Sequence, residues 1–116
     1  MKSILVVDDN ASMRQALAVV LGKAGYEVFQ ASDGFAAINE IHQRQVSLLI
    51  TDLVMPGQEG LETIRHFIKE FPHIPIIAMS GKPDYLPFAK ALGAAAVLEK
   101  PIAHASLLRA VRELIG

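Results

Sequence analysis

Five reactive or charged side chains stand at the ends of short apolar runs in this sequence. They are Asp8, Asp9, Asp52, Ser80 and Lys100. Three carboxylates, a hydroxyl and an ammonium group can together support phosphoryl transfer to a carboxylate. Asp52 is then the candidate nucleophile, which forms an acyl phosphate. Ser80 and Lys100 are the groups expected to bind the transferred phosphoryl oxygens.

The three carboxylates also predict a cation site. If Asp8 and Asp9 end one strand and Asp52 ends its neighbour, the two strands lie about 4.8 Å apart and the three carboxylates crowd one corner. Like charges that close repel one another or raise one another's pKa, unless a divalent cation neutralises them. Oxygen ligands favour Mg²⁺ or Ca²⁺, and a site with few ligands and room for water and phosphate favours Mg²⁺. The sequence therefore predicts a magnesium site.

Alternating strands and helices are predicted to position these groups. Five apolar segments are typical of buried strands: 4–7, 26–31, 47–51, 74–79 and 95–99. A helical pattern follows each strand. The first two helices are capped by Asn10 and Asp33, and the others cover about 59–71, 86–92 and 103–115. The third helix is predicted to bury Leu61, Ile64, Ile68 and Phe71.

This alternation predicts an α/β fold with three layers. We expect a doubly wound, five-stranded parallel sheet of the flavodoxin type, with helices on both faces. Strand order 2-1-3-4-5 is the commonest for such a sheet, and its site lies at the carboxyl ends of the strands. Lys100 would then start two strands, about 10 Å, from Asp52. Its long side chain can reach back over Ser80.

Composition narrows the class of protein. With 116 residues, 52% of them hydrophobic, the chain is expected to form one globular domain over residues 1–116. The net charge of −1 without a basic block argues against direct nucleic acid binding. We found neither a signal peptide nor an apolar run near the roughly 20 residues that cross a bilayer, so we expect a cytoplasmic chain without a membrane partner.

These residues, in this order, resemble the receiver domain of two-component response regulators, the CheY-like fold. The resemblance covers essentially the whole chain. It rests on Asp8-Asp9, Asp52-Leu53-Val54-Met55-Pro56-Gly57, Ser80 and Lys100-Pro101. The Asp-x-x-Met-Pro-Gly motif is the most specific of these, and the order of all four motifs adds further weight.

The resemblance implies a role for each residue. Asp52 would accept a phosphoryl group from a sensor histidine kinase or a histidine phosphotransfer protein. Asp9, Asp52 and the Val54 backbone carbonyl would ligate Mg²⁺ directly, and Asp8 mainly through water. The bond between Lys100 and Pro101 would be cis. Such a protein is a switch for an unidentified downstream protein, and it catalyses only its own phosphorylation and dephosphorylation.

The sequence departs from the family on the expected output surface. Val97 stands where the family often has an aromatic switch residue, and Ala95-Ala96 stand where an acidic pair is common. The second departure puts in doubt whether this chain makes the charged dimer contacts that many transcription-factor receivers make. Since the chain ends at Gly116, just after the last helix, we expect a stand-alone receiver or one excised from a longer protein. The four histidines, at 42, 66, 73 and 104, are expected on the surface.

Three other classes share parts of this pattern. A flavodoxin-like cofactor binder would need a phosphate loop after the first strand, where Asp8 and Asp9 would repel phosphate. A phosphatase with an aspartyl nucleophile would carry Asp-x-Asp there, whereas these aspartates are adjacent. A receiver-like scaffold without phosphorylation would not need the complete acidic site.

Overall fold

The structure, a computed structural model, describes residues 1–53 and 58–116. For residues 58–60 it describes the backbone only. Within these residues, five parallel strands form one sheet in the order β2-β1-β3-β4-β5. The strands are β1 Ser3–Val7, β2 Glu27–Ala31, β3 Leu48–Asp52, β4 Ile76–Ser80 and β5 Ala96–Glu99. The helices are α1 Ala11–Lys23, α2 Gly34–Gln43, α3 Gln58–Glu70, α4 Leu86–Leu92 and α5 His104–Ile115, and a 3₁₀ turn Pro83–Tyr85 precedes α4. The predicted fold class and strand order are confirmed.

The two faces of the sheet carry separate core layers. Alternate residues of β1 enter different layers: Leu5 and Val7 lie in one, Ile4 and Val6 in the other. This follows from the two-residue period of a strand. Helices α2, α3 and α4 contribute to the first layer, and α1 and α5 to the second. We refer to these as the α2–α3–α4 layer and the α1–α5 layer.

The helix starts agree with the predicted caps. The Asn10 side chain accepts a hydrogen bond from the Met13 amide at 3.0 Å, and Asp33 accepts one from the Ala36 amide at 2.8 Å. Helix α4 has the predicted bounds, with Pro87 in its first turn. There a missing N–H costs no helical hydrogen bond. In the described part of the chain, no helix is long and apolar enough to span a membrane.

Two strands lie further along the chain than the sequence indicates. β3 ends at Asp52 instead of residue 51, because Asp52 pairs with Met79 of β4. β4 begins at Ile76 instead of residue 74. Pro75 has no N–H for the ladder, although its carbonyl accepts a hydrogen bond from the Leu49 amide at 3.0 Å. Asp52 and Ser80 are therefore the last residues of their strands, where backbone pairing orients them.

The buried face of α3 differs from the prediction in one residue. Ile64 is fully buried as expected, but the other residue at the centre of this face is Phe67, which the predicted stripe omits. Phe67 is the largest fully buried side chain among the described residues. The remaining predicted residues, Leu61, Ile68 and Phe71, are half-buried at the margins. The helix is thus rotated slightly toward Phe67 relative to the expected face.

Candidate functional site

The three predicted carboxylates meet at the carboxyl edge of the sheet. Asp8 and Asp9 follow β1, and Asp52 ends the adjacent β3. One carboxylate oxygen from each residue can be chosen so that all three lie within 4.8 Å of one another. Asp8 and Asp52 are buried, with 2% and 4% of their surface exposed, whereas Asp9 is exposed. The site is thus a small acidic cluster with one side open to solvent.

Lys100 reaches this cluster from β5, as the sequence suggests. Its Nζ lies 2.6 Å from Asp52 Oδ2 and 3.1 Å from Asp8 Oδ2. Its backbone amide donates to the Ser80 carbonyl at 2.9 Å, which fixes the base of the side chain beside β4. The predicted cis bond between Lys100 and Pro101 is present. A single ammonium group therefore bridges the carboxylates that follow β1 and end β3.

Burial and charge act in opposite directions on this ion pair. The pKa of Asp52 is raised to about 6 overall: burial is the largest cause and the charge of Asp8 adds to it, while the hydrogen bond from Lys100 acts in the opposite direction. Burial would lower the pKa of Lys100, but hydrogen bonds and charge from Asp52 and Asp8 outweigh it and raise that pKa overall. Three carboxylates face one ammonium group, so the cluster carries excess negative charge that a divalent cation would offset.

One oxygen of Asp52 has no partner among the described residues. Oδ2 is bound by Lys100, but the buried Oδ1 accepts no hydrogen bond from any described group. An unpartnered buried polar atom is unfavourable by about 1–3 kcal/mol. Such atoms are found where an ion or a reactant binds. Oδ1 is therefore the atom of this site best placed to meet a cation or an incoming phosphorus.

Ser80 lies at the same edge, but its hydroxyl is already engaged. The side chain is buried at the end of β4, one strand from Asp52. Its Oγ accepts from the Lys82 amide at 2.9 Å and donates to the Lys82 carbonyl at 3.1 Å. The sequence places Ser80 at the correct edge and gives no sign of this local turn. To bind another oxygen, the hydroxyl must give up at least its donated bond to Lys82.

Arg14 is a supporting residue that the sequence analysis missed. Its Nη1 donates to the Asp8 carbonyl at 2.7 Å, and its Nε donates to Gln30 at 3.1 Å. The Asp8 carboxylate also accepts the Asn10 amide at 2.9 Å. Arg14 lies in the first turn of α1, four residues after the cap. Nothing in the sequence separates this position from an ordinary exposed arginine.

The remaining predicted residues divide into two groups. Val54, proposed as a backbone metal ligand, lies outside the described residues together with Met55, Pro56 and Gly57. All four histidines are exposed, as expected: His42, His66, His73 and His104. None of them belongs to the acidic cluster found among the described residues.

Comparisons with known proteins identify a family and similar chains. Residues 4–112 match the family described as the response regulator receiver domain. The CAI-1 autoinducer sensor kinase/phosphatase CqsS of Vibrio cholerae is 36% identical over 115 residues, which are 95% of this chain and 17% of the kinase. The response regulator receiver protein CpdR of Brucella abortus is 32% identical, over 99% of this chain and 98% of CpdR. The chain therefore spans a small part of the first relative and nearly all of the second.

A solved structure extends the similarity to three dimensions. The response regulator protein TrrA from Thermotoga maritima, in complex with Mg²⁺–BeF, matches with a TM-score of 0.89 and 30% sequence identity. The match covers 99% of this chain and 100% of TrrA.

Proposed function

Because this chain belongs to the response regulator receiver domain family, whose members accept phosphoryl groups in two-component signalling, we propose that Asp52 is its phosphoryl acceptor. One observation carries the proposal: Lys100 holds Oδ2 of Asp52 at 2.6 Å, while the buried Oδ1 has no described partner. With a pKa of about 6, the Asp52 carboxylate is largely ionised at neutral pH. Oδ1 attacks phosphorus, and the bond from phosphorus to the donor breaks as the acyl phosphate forms.

Mg²⁺ is the cofactor that fits the site. Asp8, Asp9 and Asp52 would hold it, and their oxygen-only donor set matches the preference of this ion. The family resemblance adds the Val54 carbonyl, which lies outside the described residues. When bound, the cation offsets negative charge on the phosphoryl oxygens. The unpartnered Oδ1 of Asp52 and the excess negative charge of the cluster support this assignment.

Lys100 and Ser80 are proposed to bind the transferred group. Lys100 Nζ already lies between Asp8 and Asp52, so it can donate to a phosphoryl oxygen on Asp52 with only a small movement. Ser80 must first release the carbonyl of Lys82. Lys100 therefore acts before and after transfer, whereas Ser80 acts only on the phosphorylated form.

The proposed donor is a sensor histidine kinase or a histidine phosphotransfer protein, and the output is binding to a further protein. We propose that residues 1–116 act as one receiver domain, which turns over no substrate apart from its own phosphoryl group. Because the chain belongs to the receiver family, a flavodoxin-like cofactor binder and an aspartyl phosphatase are no longer competing explanations. The scaffold alternative differs from our proposal in one respect, phosphorylation itself.

Phosphorylation of the purified chain tests the assignment. Incubation with a small acyl-phosphate donor and Mg²⁺ is expected to add one phosphoryl group to the intact mass. The adduct should be labile to hydroxylamine, as an acyl phosphate is. Reduction with borohydride followed by peptide mapping should place it on Asp52. An adduct mapped to Asp8, Asp9 or a histidine would refute the assignment, and no adduct at all would favour the scaffold.

The turn after β4 is expected to carry the structural response. Ser80 holds the backbone of Lys82, and Lys82 Nζ lies 5.9 Å from the centre of the Tyr85 ring. Release of Ser80 therefore loosens the turn that supports Tyr85. Val97 is short and β-branched, so it has few rotamers and cannot move as far as an aromatic ring does. We expect hydrogen exchange to change in residues 81–88 and to change little at Val97.

Beryllofluoride, a phosphoryl mimic, allows this comparison at equilibrium. Exchange would be measured with and without beryllofluoride in wild type and in Asp52→Asn, which should not respond. Large changes centred on Val97 with residues 81–88 unaffected would contradict the expected route.

A further inference from the structure

A groove between α3 and α4 has no part in the function proposed above. Its volume is about 350 Å³. It is lined by Leu61, Glu62, Arg65, Phe88, Ala91 and Leu92. Four of these six residues are apolar. Phe88 is 60% exposed and is a member of neither core layer. A large aromatic side chain beside an apolar groove is typical of a surface that binds another protein.

The packing of the two helices leaves this groove open. Just after α4, Gly93 has φ +120°, and a Cβ there would lie 2.9 Å from Ile68 Cδ1 of α3. The backbone at the end of α4 is therefore pressed against α3. Phe88 lies more than one turn earlier and is largely exposed. Closure of the groove from within would require α4 to rotate about this contact.

Charges beside the groove identify a matching partner. Glu62 and Arg65 are exposed, opposite in charge and three residues apart on α3. Among the described residues, neither forms an ion pair. If a second copy of α3 runs antiparallel across the first, Glu62 of each copy faces Arg65 of the other. The net charge of −1 adds little repulsion between two copies.

We propose that the α3–α4 groove is the contact surface of a symmetric homodimer. Phe88 of each copy enters the groove of its partner, and the two Glu62–Arg65 pairs set the antiparallel orientation. The groove is small, about 350 Å³, so the dimer is weak and dissociates on dilution. Dimerisation through this groove does not require phosphorylation of Asp52.

Charge exchange between the two α3 positions tests the orientation. Sedimentation equilibrium would be measured over a wide concentration range for wild type, Glu62→Arg, Arg65→Glu and the double variant. Each single variant places like charges opposite each other, so the dissociation constant should rise at least tenfold. The double variant restores opposite charges at both contacts and should return to within about threefold of wild type.

Phe88→Ser tests the apolar contact and should weaken the dimer at least tenfold. Val19→Ser is the matched control, because Val19 is an exposed apolar residue of α1, 55% accessible, on the other layer. It should leave association unchanged. Circular dichroism confirms folding of each variant. Phosphorylation by an acyl phosphate should proceed as in wild type, which separates failure of the dimer from failure of the proposed acceptor.

Three results would overturn the dimer. They are a wild-type chain that stays monomeric at millimolar concentration, a dimer insensitive to Phe88→Ser, and a double charge variant that remains as weak as the single ones. The first would leave a helix of another protein as the occupant of the groove.

Discussion

Asp52→Asn should abolish phosphorylation and, in the absence of Mg²⁺, make the folded chain more stable. An amide has no anionic oxygen to attack phosphorus, so the phosphoryl adduct should be lost completely. The stabilisation has a different cause. Asp52 is held in a buried site beside Asp8, where its negative charge is unfavourable. Asparagine removes that charge and keeps the shape of the side chain.

The sign of the pH dependence follows from the direction of the pKa change. The pKa of Asp52 rises from its ordinary value of 3.8 to about 6 on folding, so the folded state binds the proton more tightly than the unfolded state. The contribution of Asp52 to stability is therefore greatest below pH 3.8 and is lost as pH rises through about 6. A rise in pKa from 3.8 to about 6, which already includes the opposing effect of Lys100, corresponds to at most about 3 kcal/mol. Because an amide copies the protonated carboxyl group only in part, we expect a net gain of about 1–2 kcal/mol at neutral pH.

Urea unfolding in EDTA measures this gain. Wild type and Asp52→Asn should differ little near pH 4 and increasingly between pH 4 and pH 7. Glu113→Gln, at an exposed acidic residue of α5, controls for the loss of one negative charge and should stay close to wild type. An asparagine variant less stable than wild type at pH 7.5 would show that the Lys100 ion pair outweighs burial. Added Mg²⁺ should narrow the difference, because it binds the wild-type carboxylates better.

Asp9→Ala should remove most of the stabilisation by Mg²⁺. Asp8 and Asp52 already share Lys100, whereas Asp9 is exposed and forms no ion pair among the described residues. Asp9 is thus the carboxylate with the most charge left to attract a cation. A ligand present at 100 times its Kd stabilises the native state by about 2.7 kcal/mol. In a domain of this size that is roughly a 10 °C rise in melting temperature.

Circular dichroism melting at increasing Mg²⁺ concentration gives the affinity directly. For Asp9→Ala we expect the apparent Kd to rise at least tenfold, with a matching fall in the rate of phosphorylation by an acyl phosphate. Glu113→Ala removes an equal charge far from the cluster and should titrate as wild type does. An unchanged Mg²⁺ titration in Asp9→Ala would rule out the proposed ligand set.

Much of the site follows from the sequence because parallel strands all end on the same edge. Once β1 and β3 are recognised as neighbours, Asp8, Asp9 and Asp52 must lie close together. The same logic places Ser80 and the long side chain of Lys100. None of this requires knowledge of a side-chain conformation. It requires only the strand order, and 2-1-3-4-5 is the commonest order for a five-stranded sheet of this type.

Other features depend on local geometry that the pattern does not contain. Arg14 binds the Asp8 carbonyl because of its rotamer and the exact start of α1. Ser80 bonds to Lys82 because the chain turns sharply after β4. Phe67 joins Ile64 at the centre of the buried face of α3 because a small rotation of a helix changes which residues are deepest. Each depends on one side-chain conformation, one turn of the backbone or the rotation of one helix.

The alternation of β1 between two core layers has a consequence for the site. Leu5 and Val7 belong to one layer and Ile4 and Val6 to the other, and the acidic pair follows without an intervening residue. The parity of the strand thus sets the direction in which Asp8 leaves the sheet. Insertion of one residue in β1 would either reverse every inward side chain or displace the acidic pair by one position. The number of residues between the core and the acidic pair is therefore constrained as tightly as the identity of those residues.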